Sequence, residues 1–316
     1  MARQRITSKA QEITTLKMAW TAFCIDRQER GNAPATLRFY NQFYDMYVEY
    51  CLGNENVSIS ILEEQGAQLS FMQHLERRGV NVQTVNSYLR AYRAFGNYCL
   101  SVGYVANFRC QIKEVEPPVK DVYTTAELNR LLIKPQIKNF EEFRNYTIIS
   151  LILSTGVRSN TILNIKIKDV NLEEGYINFN TTKAHKVVTL GLENKMHRLL
   201  NEYIRTWRNT HKDEYLFCNN YGEQMTRSGL ASAIKRYNER RDVQKSSIHL
   251  LRHTFCKNWL TSGGDIISLA KILTHSELEM VKRYSNLYSS DLKDKIQQHS
   301  TLSQMRTRSG ETIKTR

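Results

Sequence analysis

A mainly α-helical protein with one small β-sheet, divided into two domains, is what this sequence predicts, and three observations carry that reading. Apolar residues recur every three or four positions through most of the chain, the spacing of helices that bury one face. A single stretch, Tyr176 to Gly191, holds β-branched and aromatic residues in short runs of strand length instead. The Pro117-Pro118 pair interrupts the helical pattern, because proline lacks an N–H and cannot continue a helix.

The elements follow in order. "TLKMAWTAFCIDRQERG" and "ATLRFYNQFYDMYVEYCLG" each carry an apolar stripe and close on a glycine, as helices with a glycine after the C-terminus do. In "TVNSYLRAYRAFGNYCLSVGYV" the stripe is Val85, Tyr88/Leu89, Tyr92, Phe95 and Cys99, with Arg90 and Arg93 on another face. Residues 1–116 therefore read as an all-helical domain of four or five helices, and the Pro-Pro segment as a linker over 117–122. After it, "TTAELNRLL" offers a threonine cap with an acidic residue three positions on, the capping-box signature. "FEEFRNYTIISLILSTG" is a longer helix ending at Gly156. "YINFNTT" and "KVVTLG" then form a hairpin around a polar "KAH" that holds Lys183 and His185. Helices resume from about residue 192 to 298, and residues 301–316 form a polar, basic tail.

Composition narrows the function. The chain of 316 residues is 41% hydrophobic and 24% charged, which suits two folded domains and excludes disorder. No apolar run reaches membrane-spanning length and no hydrophobic leader follows the polar start, so a cytosolic, nucleoid-associated protein without a membrane partner is expected. The six cysteines (Cys24, Cys51, Cys99, Cys110, Cys218, Cys256) show no metal-ligand spacing and read as reduced structural thiols. A net charge of +14 points to a polyanionic partner. Residues 1–118 account for only +2 of it, so the excess lies in the second domain.

That domain contains the chemistry-bearing residues. In "HLLRHTF", His249 and Arg252 stand at i and i+3, one face of a helix, where two hydrogen-bonding heads suit a bound anion. "STGVRSNTILNI" puts Arg158 just after a helix-ending glycine, where a guanidinium fork can take two phosphate oxygens, although a favourable interaction with the helix terminus explains an arginine there equally well. "LTHSELEMVKRYSNLY" places His275 nine positions before Tyr284.

Taken together, an arginine, a hairpin lysine, His-x-x-Arg, and a histidine followed nine residues later by tyrosine resemble the tyrosine recombinase family, which includes phage integrases and Xer-type resolvases. The resemblance spans nearly the whole chain. It implies a helical, SAM-like core-binding domain at 1–116 and an α+β catalytic domain at 123–300. It also implies a site-specific DNA recombinase working without metal, ATP or other cofactor. Tyr284 would attack a DNA phosphodiester to leave a 3′-phosphotyrosine and a free 5′-hydroxyl, conserving the bond energy for rejoining. Arg158 and Arg252 would clamp the phosphate. Lys183 would act as general acid to the departing 5′-oxygen, His249 would assist tyrosine deprotonation or hold the phosphate, and His275 would donate a hydrogen bond to it. Implied partners are double-stranded DNA with inverted-repeat core sites, three further copies of the chain in a tetrameric synapse and, in some systems, accessory DNA-bending proteins.

Thr161 replaces the acidic residue often found three after the first arginine, and Thr274 replaces the usual glycine before the third-motif histidine. Lys186 competes with Lys183 as the general acid, and Tyr288, thirteen positions after His275, competes with Tyr284. Arg90 and Arg93, with Tyr92 between them, are candidates for reading DNA, and an ordinary solvated helix face is the alternative. The tail after about residue 286 is a candidate for exchange between protomers. Integration, excision, inversion and resolution of a mobile element share this chemistry, and a type IB topoisomerase or a catalytically silent DNA-binding protein of the same fold are the competing readings. A simple two-domain recombinase, without an arm-binding domain before the core-binding helices, is expected.

Overall fold

Local signals place most helix ends. The computed structural model describes residues 14–112, 121–136, 138–181, 186–208 and 214–273. The chain divides into two units, Met1–Pro118 and Val119–Arg316, each with its own hydrophobic core.

Among the described residues, the first unit holds four α-helices: α1 (Leu16–Glu29), α2 (Pro34–Tyr50), α3 (Ala67–Arg77) and α4 (Val82–Ser101). Thr15 caps α1 by accepting from the Met18 N–H, and Asn81 caps α4 by accepting from the Thr84 N–H. Proline opens α2, where a missing N–H costs nothing. The core between them is aromatic. Trp20 stacks on Tyr44 with ring centroids 4.6 Å apart, and Phe23, Phe43, Phe71 and Phe95 are fully buried around them. Val85, Leu89, Tyr92, Phe95 and Cys99 of α4 all face this core, as their spacing predicts.

Arg90 and Arg93 are exposed on the opposite side of α4. Tyr92 is 1% exposed and packs against Phe43, Tyr47 and Phe71, so it is a core residue and no part of a surface shared with the two arginines. Beyond α4, Phe108 lies over Gly96, where an added Cβ would sit 2.1 Å from its ring. The Glu63 carboxylate accepts from the Ala106 and Asn107 N–H groups, and Gln68 accepts from the Gln111 N–H, holding the exit strand of this unit.

The second unit begins with α5 (Thr125–Leu131), whose capping box is present as predicted: Thr124 Oγ1 accepts from the Glu127 N–H, and Glu127 accepts from the Thr124 N–H at 2.7 Å. Next come α6 (Phe140–Thr155) and the short α7 (Ser159–Ile162). Strands β1 (Val170–Asn171), β2 (Tyr176–Thr181) and β3 (Lys186–Gly191) form an antiparallel sheet in that order, β2 and β3 pairing from Tyr176–Gly191 to Thr181–Lys186. At two residues, β1 is too short to leave an alternating pattern in sequence. Helix α8 (Asn194–Tyr203) runs on into a π-helical turn over Ile204–Arg208, and α9 (Arg227–Glu239), α10 (Ile248–Thr261) and α11 (Ile266–Ile272) follow.

Helix α6 is the centre of this unit. Phe143, Ile148, Ile149, Leu151 and Ile152 are fully buried, and α8, α9 and α10 pack around it. That explains its nearly continuous apolar sequence, since a helix surrounded by other helices has no solvent face. Cys51, Cys99, Cys218 and Cys256 are buried in the two units as small apolar residues. No described helix is long and apolar enough to cross a membrane. Residues 117–120 of the expected linker and the whole 301–316 tail lie outside the described residues.

Candidate active site

The site is built where α6 ends. Gly156 terminates that helix in the left-handed conformation at φ 63°, and Phe255 of α10 approaches so closely that a Cβ on Gly156 would lie 2.4 Å from its ring. Two independent constraints therefore demand glycine here. The chain turns through Val157 to Arg158, which is the extended residue before α7 and not a C-terminal residue of α6. Arg158 is thus the N-cap residue of α7 and stands three residues beyond the end of α6.

Arg252 lies on α10, 4% exposed. Its Nη1 donates to the Gly156 carbonyl and its Nη2 to the Leu273 carbonyl at 3.4 Å. Main-chain carbonyls of two separate turns thus hold one part of the planar guanidinium and fix its orientation. Arg158 and Arg252 line one narrow cleft together with Thr155, Thr161, Phe179, Val188, Leu190 and Leu273. The β2–β3 hairpin provides one wall through Phe179, Val188 and Leu190, and Leu273 at the end of α11 provides another. Thr161, standing where a carboxylate is often found, is 9% exposed, and its backbone N–H is bonded to the Arg158 carbonyl at 3.0 Å.

A second buried arginine shows the contrast. Arg144 of α6 is 3% exposed, donates to the Cys218 carbonyl at 2.8 Å and twice to Asn145 Oδ1 at 3.2 Å, and lies over the Phe140 ring. Burial pushes its pKa down. It ties α6 to the chain around Cys218, and it lines none of the cleft.

His249 occupies the first turn of α10 and is exposed. It lines a separate hollow with Asp121, Lys245, Ser247, Leu250 and His253. Sharing a helical face therefore does not give His249 and Arg252 the same surroundings: Arg252 faces the core side of α10 and His249 the solvent side. Arg90 and Arg93 belong to the first unit. Lys183, between β2 and β3 in sequence, lies outside the described residues, as do His275, Tyr284 and the alternative Tyr288. Lys186 opens β3 paired with Thr181.

Sequence reasoning missed two groups. One is the Gly156 carbonyl, a backbone acceptor that no residue-type pattern reveals. The other is Lys245, whose Nζ lies 2.9 Å from Asp121 Oδ2, 3.0 Å from Glu127 Oε2 and 2.9 Å from the Val122 carbonyl. The hydrogen bond that Lys245 donates to Asp121 holds the Lys245 ammonium above its usual range, and the same bond holds the Asp121 carboxyl below its own. Burial acts to raise Glu127, but hydrogen bonds from Thr124 and Lys245 outweigh it and leave that carboxyl lowered. A lysine four residues before the histidine was the available signal, with nothing local to say which carboxylates it would meet.

Comparison with known proteins supplies the relationship. Residues 122–290, more than half the chain and a span that includes Arg158, Lys183, His249, Arg252, His275 and Tyr284, match the phage integrase family. Tyrosine recombinase XerD of Staphylococcus epidermidis is 26% identical over 274 residues, covering 84% of this chain and 92% of that protein. The Tn1549 transposon integrase in complex with transposon right end DNA superposes with a TM-score of 0.70 at 16% identity, covering 90% of this chain and 99% of the other. The XerH site-specific recombinase bound to palindromic difH substrate gives a TM-score of 0.67 at 21% identity, with 87% and 82% covered. The chain belongs to the phage integrase family, the tyrosine recombinases that cleave and rejoin DNA strands.

Proposed function

We propose that this protein is a site-specific DNA recombinase of a mobile element that cleaves each strand through Tyr284. The observation that carries the reading is the pairing of Arg158 and Arg252, distant in sequence, in one cleft. Two cationic forks at one point fit the non-bridging oxygens of a phosphodiester and the charge that grows on them during in-line displacement. The cleft wall is the hairpin whose tip carries Lys183, and its other boundary is Leu273, two residues before His275 in sequence.

In the proposed reaction the Tyr284 oxygen forms a bond to phosphorus as the bond to the 5′-oxygen breaks. Lys183 gives a proton to the departing 5′-oxygen. His249 assists removal of the tyrosine proton or holds the phosphate, and His275 donates a hydrogen bond to it. The 5′-hydroxyl of a partner strand then attacks the phosphotyrosine, reversing the step with no energy source consumed.

The first unit serves as the core-binding domain, with the exposed Arg90 and Arg93 facing DNA. Residues 123–300 serve as the catalytic domain, joined to it by the 117–122 linker. The assembly is four protomers on two inverted-repeat sites, the tail after residue 286 passing between neighbours, with DNA-bending proteins as helpers. The DNA bound in the Tn1549 integrase and XerH structures supports DNA as the substrate here.

Nicked suicide duplexes made from DNA flanking the gene provide the test. Incubated without metal or ATP, they should yield a denaturation-resistant protein–DNA adduct that the Tyr284→Phe variant does not form. An adduct persisting in Tyr284→Phe would transfer the role to Tyr288. Specific binding without any adduct would remove the catalytic assignments.

A further inference from the structure

We propose that Lys245 is a positioning residue for DNA cleavage: it clasps the segment entering the second unit onto α10 and thereby holds the helix that carries His249 and Arg252. The inference rests on the catalytic reading of α10 given above.

The clasp has two halves. On one, the Lys245 ammonium meets Asp121, Glu127 and the Val122 carbonyl, while the Lys245 carbonyl accepts from the Tyr123 hydroxyl at 3.1 Å and from Asn238 Nδ2 at 2.6 Å. On the other, the Tyr123 N–H donates to Thr254 Oγ1 at 3.0 Å, and that hydroxyl donates back along α10 to the Leu250 carbonyl at 2.8 Å. Tyr123 is 3% exposed, and Asn238 and Thr254 are fully buried. Lys245 stands four residues before His249 and Thr254 two after Arg252, so residues 121–127 are bonded on both sides of the proposed catalytic turn.

Helix α10 needs such a hold. Ser247, at its N-terminus, makes no side-chain cap, so the first turn lacks the local bond that fixes α1, α4 and α5. His249 lies in that turn, in the same hollow as Asp121 and Lys245.

Magnitudes separate a positioning role from a merely structural one. Asp121 is largely exposed while Lys245 and Glu127 are partly covered, so the two ion pairs together add only modestly to global stability. Catalysis is far less forgiving, because a displacement of about 1 Å costs on the order of 100-fold in rate. Loss of the clasp is therefore read in the rate of cleavage and hardly in unfolding.

The test is single-turnover adduct formation at saturating suicide duplex, with DNA affinity and thermal unfolding measured on the same full-length variants. Lys245→Met is expected to slow adduct formation by about tenfold, a fraction of what a full 1 Å displacement costs, with DNA affinity within about twofold of wild type and an unchanged unfolding temperature. Lys245→Arg, which keeps the charge, is expected to restore most of the rate. The Asp121→Asn variant weakens the exposed acceptor and leaves both the lysine and the α5 capping box intact, and a smaller slowing in the same direction is expected from it. That variant keeps the proposal testable should Lys245→Met fold poorly. A wild-type rate in Lys245→Met, or a rate loss matched by lost DNA affinity or by a lower unfolding temperature, would overturn the clasp. His249→Ala separates the two readings: a slow His249→Ala beside a normal Lys245→Met sinks only the clasp, whereas a normal His249→Ala removes the catalytic reading of α10 on which the clasp depends.

Discussion

At the scale of residues, Arg252 and Gly156 form one unit. The arginine donates through Nη1 and Nη2 to the Gly156 and Leu273 carbonyls, and it lines the cleft it shares with Arg158. A lysine at this position has a single ammonium on a flexible stem and cannot keep a planar fork fixed while presenting donors to a phosphate. Arg252→Lys is accordingly expected to lower the adduct-forming rate by about 100-fold or more, the scale of losing one preorganised donor, with the folded state preserved by circular dichroism. Gly156→Ala tests the other half. It forces a side chain into the left-handed region, costing about 1–2 kcal/mol, and drives a Cβ against Phe255, adding about 1–3 kcal/mol of overpacking. Gly175 has a similar φ of 71° with nothing near an added Cβ. Gly175→Ala therefore carries only the backbone cost, and denaturant titration of the two variants should separate them by the packing contribution.

Among elements, helix ends are where local chemistry and tertiary contact meet. Glu127 belongs to the α5 capping box and also pairs with Lys245, and its carboxyl is lowered from the ordinary 4.5. A carboxyl lowered in the folded state contributes stability that is present above its unfolded pKa and is lost as pH falls through the folded one. Glu127→Gln keeps an acceptor for the capping box and removes the charge facing Lys245, and it is expected to cost about 0.5 kcal/mol at pH 7, the scale of such an ion pair. Wild type and variant should converge once the medium is acidic enough to protonate Glu127, as followed by urea unfolding against pH. The hairpin shows a different dependence. Its strands are short and one face packs against the core through Ile177 and Phe179, so the position of the two strands is set by tertiary packing and not by a local signal.

For the whole molecule, the charge distribution decides how DNA is held. The net charge is +14, and nearly all of the excess lies beyond residue 118. If the second unit neutralises several phosphates, the counterions released make affinity steeply salt-dependent. Binding to a cognate duplex, followed by fluorescence anisotropy, should weaken by about a thousandfold or more between roughly 50 and 200 mM salt. A shallow dependence would contradict a phosphate-dominated interface.

What the sequence determined by itself was whatever local physics controls. Thr124 and Glu127 announced the α5 cap, Gly156 announced the end of α6, and Val85, Leu89, Tyr92, Phe95 and Cys99 marked the buried face of α4, because capping, backbone conformation and helical periodicity act within about four residues. The ordered motifs around Arg158, His249, Arg252, His275 and Tyr284 also pointed to the family that the match over residues 122–290 shows. Only the tertiary structure decided that Arg158 and Arg252 share a cleft, that His249 lines a different hollow, and that Lys245 closes on Asp121 and Glu127. Each of these joins residues far apart along the chain, and such contacts are set by how α6, α10 and the hairpin pack, a property of the three-dimensional arrangement that no short-range pattern encodes.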